Sequence, residues 1–195
     1  MARWLDGTKG NFADELAAFL AEPRGEVEDV AQTVTDVLAD VRVKGGEAVA
    51  RYTAKFDRLT LDPVTLQSDN VDLHALAAGC PADLREAIDY AAERITAYHE
   101  RQRPSDNFFK DPEGVELGWR WTPLDSVGVY VPGGLASYPS SVLMNAVPAH
   151  VAGVREIVMV VPTPDGIVNE LVLAAAHLAG VDRVFTLGGA QAVAA

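Results

Sequence analysis

The last third of the chain alternates short apolar runs with helix-like runs, and a glycine pair stands at each end of the series. Val127–Val131 is a β-branched and aromatic run that stops at Pro132-Gly133-Gly134, which is typical of a buried strand entering a turn. Ile157–Val161 is apolar at every position, which predicts a strand covered on both faces. Val184–Leu187 is the third predicted strand, and it runs directly into Gly188-Gly189.

Two helices are predicted between these strands. The first begins where Ser140 or Ser141 can cap it, and Pro148 must kink or shorten it. The second covers about Asn169–Ala179 and stops at Gly180, a residue type that tolerates the left-handed conformation after a helix. This alternation predicts a parallel sheet with right-handed crossovers, in which ligands bind at the carboxyl ends of the strands. Both glycine turns belong to that edge.

The residues before this series are predicted to be mostly helical, because apolar side chains recur at spacings of three or four. The predicted helices cover Phe12–Glu22, Val27–Val41, Glu47–Phe56 and Pro81–Gln102. Leu59–Asp69 is interpreted as a loop with a short edge strand, and Arg103–Asn107 as a linker. Val115–Trp121 alternates in the manner of a half-exposed strand.

The segment Gly188–Ala195 reads as the opening of a helix that has neither a body nor a cap. Because the first turn of a helix is costly to form and few bonds follow it here, we expect the chain to be part of a longer protein. A parallel sheet that is cut partway also exposes an apolar edge, so we expect the isolated chain to aggregate.

The composition narrows the classes of partner. There are 28 acidic and 16 basic residues and the net charge is −12, which argues against a nucleic-acid or anionic membrane surface and favours a small-molecule or protein partner. The single cysteine excludes an intrachain disulfide and a multi-cysteine metal site, in keeping with a reducing cytoplasm. With no apolar run of membrane-spanning length and no signal-peptide pattern, we expect a soluble cytoplasmic protein.

The histidines and the cysteine form no recognisable catalytic pattern. His74, His99, His150 and His177 lack the spacing of a helical metal pair, so each is interpreted as structural or exposed. Cys80 precedes a helix start, where the helix dipole can lower a thiol pKa, but it has no local histidine partner. A structural, buried cysteine is the preferred interpretation.

The two glycine turns are better candidates for a binding site. Neither matches G-x-G-x-x-G, so the common dinucleotide fingerprint is absent. Tyr130 offers an aromatic face and a hydroxyl at a strand end, and Gln191 projects from a helix start beside backbone N–H groups. Both suit a polar ligand that carries a flat ring and phosphates. From the residues alone, the alternative that the glycines only make tight turns is equally well supported.

Several short motifs, in order, resemble histidinol dehydrogenases. Some of these motifs lie at the predicted strand ends and helix starts of the last third of the chain. The others lie in the helical region before it. The motifs are Ser126-Val-Gly-Val-Tyr130-Val-Pro-Gly-Gly134, Ser141-Val-Leu-Met144, Pro148-Ala149, Ala152-Gly-Val154, Val161-Pro-Thr-Pro164, Gly188-Gly-Ala-Gln-Ala-Val-Ala-Ala195, Val30-Ala-Gln-Thr-Val-Thr-Asp36-Val-Leu, Gly45-Gly-Glu-Ala48, Tyr52-Thr-Ala-Lys-Phe-Asp57 and Tyr98-His99. The resemblance extends from about Glu26 to the last residue.

The resemblance implies an α/β fold that is aldehyde dehydrogenase-like, with an incomplete Rossmann-like parallel sheet domain preceded by a mostly helical N-terminal region. It implies three parts: a helical arm at residues 1–25, a helix-rich first part of an α/β domain at 26–126, and a truncated NAD-binding domain at 127–195. We place the last boundary between Trp121 and Val127.

The resemblance also implies an activity. Histidinol dehydrogenases oxidise L-histidinol to L-histidine with two NAD⁺ in succession, use one zinc ion to orient the substrate, pass protons through a glutamate–histidine pair, and form homodimers. Tyr130 and Gln191 match NAD-contacting positions of the family. The zinc ligands, the catalytic pair and a further NAD-contacting asparagine are expected beyond Ala195, so no catalytic or metal-binding residue is assigned to this chain and we expect it to be inactive alone.

Two alternatives stay open at this point. A paralogue of the same fold that oxidises another alcohol, such as a sulfonated diol, would have a similar N-terminal half. A non-catalytic remnant that binds NAD or forms dimers is a second alternative, although a naturally ended domain is expected to complete and cap its last helix.

Overall fold

The computed structural model describes residues 4–21, 27–66, 78–133 and 138–195. By their contacts, the residues of the chain fall into two compact units, Met1–Val37 and Leu38–Ala195. The three-part division drawn from the sequence stays a prediction. Within the described residues, no helix is both long and apolar enough to cross a membrane.

The first unit contains helix α1, Phe12–Ala21, and the first part of helix α2, Val27–Lys44. Most residues of α1 are alanines, leucines and a glutamate, which have high helix propensity, and Asp14 and Glu15 lie in its first turn, where negative charge is favourable. Phe12, Leu16 and Phe19 are half-buried on one stripe, as their spacing predicts.

The second unit begins with a pair of helices. Gly45, whose φ of +55° favours glycine, follows helix α2, and helix α3, Gly46–Asp57, begins at the next residue. Asp40 on α2 binds Lys44 at 2.7 Å and also Arg51 of α3. The two helices predicted at Val27–Val41 and Glu47–Phe56 are therefore confirmed.

The loop after α3 corrects one expectation. The described residues of the predicted edge strand, Leu59–Leu66, contain a turn at Pro63–Thr65 instead of a strand. The Asp62 carboxylate accepts the backbone N–H groups of Val64 and Thr65 at 2.8 Å each, which favours a turn over an extended strand. The remainder of the segment lies outside the described residues.

Helix α4, Ala82–Glu100, is close to its predicted bounds. It is followed by an antiparallel hairpin of strand β1, Asn107–Lys110, and strand β2, Glu116–Trp119. Strand β2 lies within the predicted strand, but all four of its residues are exposed, so the expectation of a half-exposed strand is wrong. Strand β1 is not predicted, because its four residues show no alternation. The Asp111 carboxylate stabilises the hairpin turn by accepting two backbone N–H groups at 2.9 Å.

The parallel sheet has the strand order β3-β4-β5. Its strands are β3 at Ser126–Tyr130, β4 at Glu156–Val160 and β5 at Arg183–Phe185. The register aligns Tyr130 with Val160, and Val160 with Phe185, so the strands end at a common carboxyl edge.

Three helices complete this region. They are α5 at Pro139–Ala152, α6 at Glu170–Leu178 and α7 at Gly189–Ala194, with a short 3₁₀ turn at Pro164–Gly166. Tyr138, rather than Ser140 or Ser141, precedes α5, because Pro139 occupies the first helical position, where its fixed φ is favourable. Pro148 is accommodated inside α5, which continues to Ala152.

The core lies on one face of the parallel sheet. It is built by the side chains of β3 and β4 that point toward α4, α5 and α6. Its members include Ile88, Val129, Val142, Leu143, Ile157, Met159 and Leu173. The opposite face is only partly covered, because Val158 and Val160 are half-buried, so the expectation that β4 is covered on both faces is wrong. The α/β class, with an incomplete Rossmann-like sheet after a mostly helical region, is confirmed.

Candidate functional site

Three loops meet at the carboxyl edge of the parallel sheet, one after each strand. Pro162, in the loop after β4, lies between the two glycine turns. A methyl group added at Gly133 would overlap the carbonyl oxygen of Pro162, and one added at Gly188 would overlap its ring. The glycines are therefore required for close packing of the loops as well as for turning the chain. Gly134 lies outside the described residues.

A hydrogen bond joins the first and third loops. The Tyr130 hydroxyl accepts the backbone N–H of Gly189 at 3.0 Å across 59 residues of sequence. Gly189 has a φ of +66°, which few residues other than glycine adopt. Tyr130 as a whole stays 39% exposed. One side chain thus fixes the position of the α7 start and still offers an aromatic face to a ligand.

Gln191 lies in the first turn of α7, as the sequence predicts. Its side chain is only 1% exposed. Its amide nitrogen Nε2 is buried and has no hydrogen-bond partner among the described residues. A buried donor without an acceptor is costly, so Gln191 remains a candidate for hydrogen bonding to a ligand. The sequence predicts exposed backbone N–H groups beside Gln191. In the structure, the nearby backbone N–H of Gly189 already donates to the Tyr130 hydroxyl.

A cleft of about 500 Å³ opens beside the loop after β4. Its polar residues include Arg58, Thr163 and Asp165. The guanidinium of Arg58 donates two parallel hydrogen bonds to the Asp165 carboxylate, both at 2.6 Å, which lower the pKa of Asp165 and raise that of Arg58. The hydroxyl of Thr163 is buried without a partner among the described residues.

Sequence reasoning missed these three residues. Pro162-Thr-Pro164-Asp-Gly166 follows the Ile157–Val161 run and reads from the sequence only as the turn that ends this predicted strand. Arg58 carries no local signal, because its partner is 107 residues away.

A second cleft, of about 430 Å³, lies on the partly covered face of the sheet. Tyr130 contributes to its wall, together with apolar residues of β4, β5, the loop after β5 and α7. These residues are Val158, Val160, Phe185, Leu187, Ala192 and Val193. Tyr130 therefore contacts the space on this face, whereas Arg58 and Asp165 line the first cleft.

The structure does not bring the histidines together into a site. His99, His150 and His177 lie on different helices, and His74 is outside the described residues. Cys80 is buried in the core, as the structural interpretation predicts. In the ranges that the structure describes, no three His, Cys, Asp or Glu side chains are grouped to hold a metal ion.

Comparisons with known proteins point to one family. The family model for histidinol dehydrogenase matches residues 20–195. The histidinol dehydrogenase of Gluconobacter oxydans is 52% identical over 98% of this chain and 44% of its own length, and that of Caulobacter vibrioides is 55% identical over 95% and 43%. The crystal structure of histidinol dehydrogenase from Elizabethkingia anophelis superposes with a TM-score of 0.80 and 31% identity over 93% of this chain and 42% of that one. The chain therefore spans less than half the length of these relatives.

Proposed function

This chain belongs to the histidinol dehydrogenase family, and we propose that it forms part of the NAD⁺ site of an enzyme that oxidises L-histidinol to L-histidine. The observation that carries this proposal is the identity of about half of the residues, over nearly the whole chain, with proteins of that name. These comparisons give no support to the alternatives of a diol-oxidising paralogue or a non-catalytic remnant.

The residues at the strand ends fit a dinucleotide. NAD⁺ carries flat rings and phosphate oxygens, and it needs both apolar surface and hydrogen-bond donors. Tyr130 provides a half-exposed ring, and the unpartnered amide of Gln191 provides a buried donor. We infer that the cofactor supplies the acceptor that Gln191 lacks.

The role of this chain is to bind and orient the cofactor. When bound, NAD⁺ accepts a hydride from the alcohol carbon of the substrate. Tyr130 holds Gly189 through its hydroxyl, so its ring and the α7 start keep a fixed separation. Pro162 packs against both glycine turns and keeps the floor of the site rigid. Such preorganisation reduces the entropy lost when a ligand binds.

Zinc is implied by the family but does not fit the described residues, which offer no grouped set of ligands. We therefore assign no step to a metal here. A homodimer and a cytoplasmic location are also proposed, the first from the family and the second from the single cysteine and the biosynthetic role.

The proposal is tested by measuring NAD⁺ affinity for the chain and NADH formation from L-histidinol by the complete protein that contains it. Gln191→Met removes the amide donor at similar volume. We expect it to raise the dissociation constant of NAD⁺ about three- to tenfold, the effect of one lost hydrogen bond. Tyr130→Phe, which frees Gly189, should weaken binding as well.

Tyr98→Phe is the matched control, because Tyr98 is an exposed tyrosine on α4 outside the strand-end loops. It should leave NAD⁺ affinity unchanged. If the complete protein forms no NADH with L-histidinol, the proposed function is wrong. Unchanged NAD⁺ affinity in both site variants would remove Tyr130 and Gln191 from the cofactor site.

A further inference from the structure

Another cleft, of about 410 Å³, opens where helices α4 and α5 end and the chain approaches strand β3. It is lined by the end of α4 and the linker after it, by the segment before β3 and by the last turns of α5. Gly153, which follows α5, lies close to Pro123, because a methyl group added at Gly153 would meet the Pro123 ring at 3.7 Å. We call this site the α4–α5 cleft. Neither Tyr130 nor Gln191 lines it, so it is not part of the proposed cofactor site.

Ring-bearing residues contribute to the wall of the α4–α5 cleft. Trp121 lines the cleft and is 59% exposed. The backbone N–H of Trp121 donates to the Asp106 carboxylate at 2.7 Å, which fixes the chain at this point. Pro123 and Pro148 also line the cleft. An indole and proline rings offer apolar contact to the faces of a planar ligand.

The ionisable side chains of the cleft are basic. His99 and Arg103 line it together with the amide of Gln102, and none of the described residues on its wall is acidic. Arg103 is exposed, and its guanidinium forms no ion pair within the part of the chain that the structure describes. The whole chain has 28 acidic and 16 basic residues, so most of its surface repels anions. A cleft without carboxylates and with an unpaired guanidinium is a place where an anion is attracted instead.

The two helix ends at the cleft act in the opposite direction, because the C-terminus of a helix carries partial negative charge. Their carbonyl groups are already engaged, however. The backbone N–H of Gln102 donates to the His99 carbonyl, and that of Gly153 donates to the His150 carbonyl, both at 2.9 Å. The Arg103 guanidinium carries a full charge and can hold a carboxylate through two parallel hydrogen bonds. The balance favours a negatively charged ligand.

We propose that the α4–α5 cleft binds a small aromatic carboxylate. Arg103 holds the carboxylate with its planar guanidinium, and the ring of the ligand stacks on Trp121. The Gln102 amide offers a further donor to the carboxylate oxygens. The volume of the cleft lies in the range of small-ligand sites. This site is additional to the NAD⁺ site, and neither depends on the other.

The test is a titration of the 195-residue chain with two probes, benzoate and benzamide, followed by proton–nitrogen correlation NMR. Benzamide has the shape of benzoate without its charge. The indole N–H signal of Trp121 should shift with benzoate, whereas that of Trp119, which donates to the Ser105 carbonyl and does not line the cleft, should stay in place. Benzoate should bind about tenfold more tightly than benzamide, because hydrogen bonds to a charged group are among the stronger ones.

Variants identify the groups that hold the ligand. Arg103→Gln should weaken benzoate binding about tenfold and leave benzamide binding nearly unchanged. Arg101→Gln is the matched control, because Arg101 is an exposed arginine at the end of the same helix that does not line the cleft. Trp121→Leu removes the ring and should weaken the binding of both probes about threefold, measured from the backbone N–H of Thr122.

Three results would overturn this inference. The first is equal affinity for benzoate and benzamide, or equal benzoate affinity in the Arg103→Gln and Arg101→Gln variants. The second is no shift of the Trp121 signal up to about 10 mM benzoate, because a ligand of this size that fits its site binds at least that tightly. The third is the absence of benzoate binding when the titration is repeated on the complete protein, which would show that the rest of the protein covers the cleft.

Discussion

Pro162 shows how much of the site depends on single residues. Its ring and carbonyl oxygen occupy the space beside Gly188 and Gly133, so neither glycine can gain a side chain without a shift of the loops. Gly188→Ala is expected to destabilise the chain by about 1–3 kcal/mol, the usual cost of an overpacked site, and to weaken NAD⁺ binding. The φ of Gly188 is −143°, so the penalty comes from the contact and not from the backbone.

Gly128→Ala is the matched control for this prediction. Gly128 lies in β3, and a methyl group there would meet no other atom within 4 Å. Thermal unfolding of both variants, followed by circular dichroism, checks the difference. Equal melting temperatures for the two variants would show that the loops shift around Pro162 at little cost in stability, which would contradict the prediction.

At the same scale, the sequence reveals some residues of the candidate site and hides others. Tyr130 and Gln191 are visible because each adjoins a glycine turn, and the structure places both at the carboxyl edge. Arg58 and Asp165 are hidden because their contact joins distant parts of the chain. The burial of Thr163 is likewise a tertiary property, which no local pattern can report.

Helix α3 is the element that closes the carboxyl edge of the sheet, where it contacts α7 and the 3₁₀ turn after β4. It buries two polar side chains, Thr53 and Asp57, four residues apart on one face. One oxygen of Asp57 has no partner among the described residues, and burial raises the pKa of Asp57. The carboxylate also lies at the C-terminus of α3, where the helix dipole disfavours negative charge.

Asp57→Asn is therefore expected to stabilise the chain at neutral pH. Because the folded pKa is raised, the folded chain binds this proton more tightly, and stability falls as the pH rises from the unfolded pKa, about 3.9, through the folded value. The variant lacks this loss, so its melting temperature should exceed that of the wild type by about 2–4 °C at pH 7, equivalent to roughly 1 kcal/mol. The gain should vanish below about pH 3.9, where the unfolded carboxyl is protonated as well.

Asp62→Asn is the matched control, because the pKa of Asp62 is lowered in the folded chain, whereas that of Asp57 is raised. Backbone N–H groups of Thr65 and Val64 lower the pKa of Asp62, so its charge stabilises the fold at neutral pH. This variant should give no increase in melting temperature at any pH. An Asp57→Asn variant that melts at or below the wild-type temperature at pH 7 would contradict the argument.

Elements with long periodic patterns are predicted well from the sequence. Short strands and the first residues of helices are predicted less well. In the 19-residue helix α4, apolar residues recur at spacings of three or four, which is a strong signal for a helix. Strand β1 has four exposed residues and exists because β2 pairs with it, which is a tertiary cause. The start of α5 was misplaced because a first-turn proline competes with serine as a start signal.

For the molecule as a whole, the covering of the parallel sheet is asymmetric. Side chains on one face pack in a core shared with helices α4, α5 and α6, whereas Val158 and Val160 on the other face line an open cleft. The sequence could not reveal this, because a continuous apolar run such as Ile157–Val161 does not report how much chain is present to cover it. Exposed apolar surface of this kind tends to be covered by another surface.

We therefore expect the 195-residue chain to associate with itself through this face as its concentration rises. Val193, on α7 at the margin of the cleft, is 71% exposed. Val193→Lys should raise the concentration at which association begins by at least about tenfold, because burying a valine contributes about 1.5–3 kcal/mol and 1.4 kcal/mol corresponds to about a factor of ten. Val115→Lys, a change at an exposed valine in the hairpin turn, should leave association unchanged. Sedimentation velocity over a concentration series measures the association of the wild type and of both variants. A wild-type chain that stays monomeric at every concentration would contradict the prediction that this face drives association.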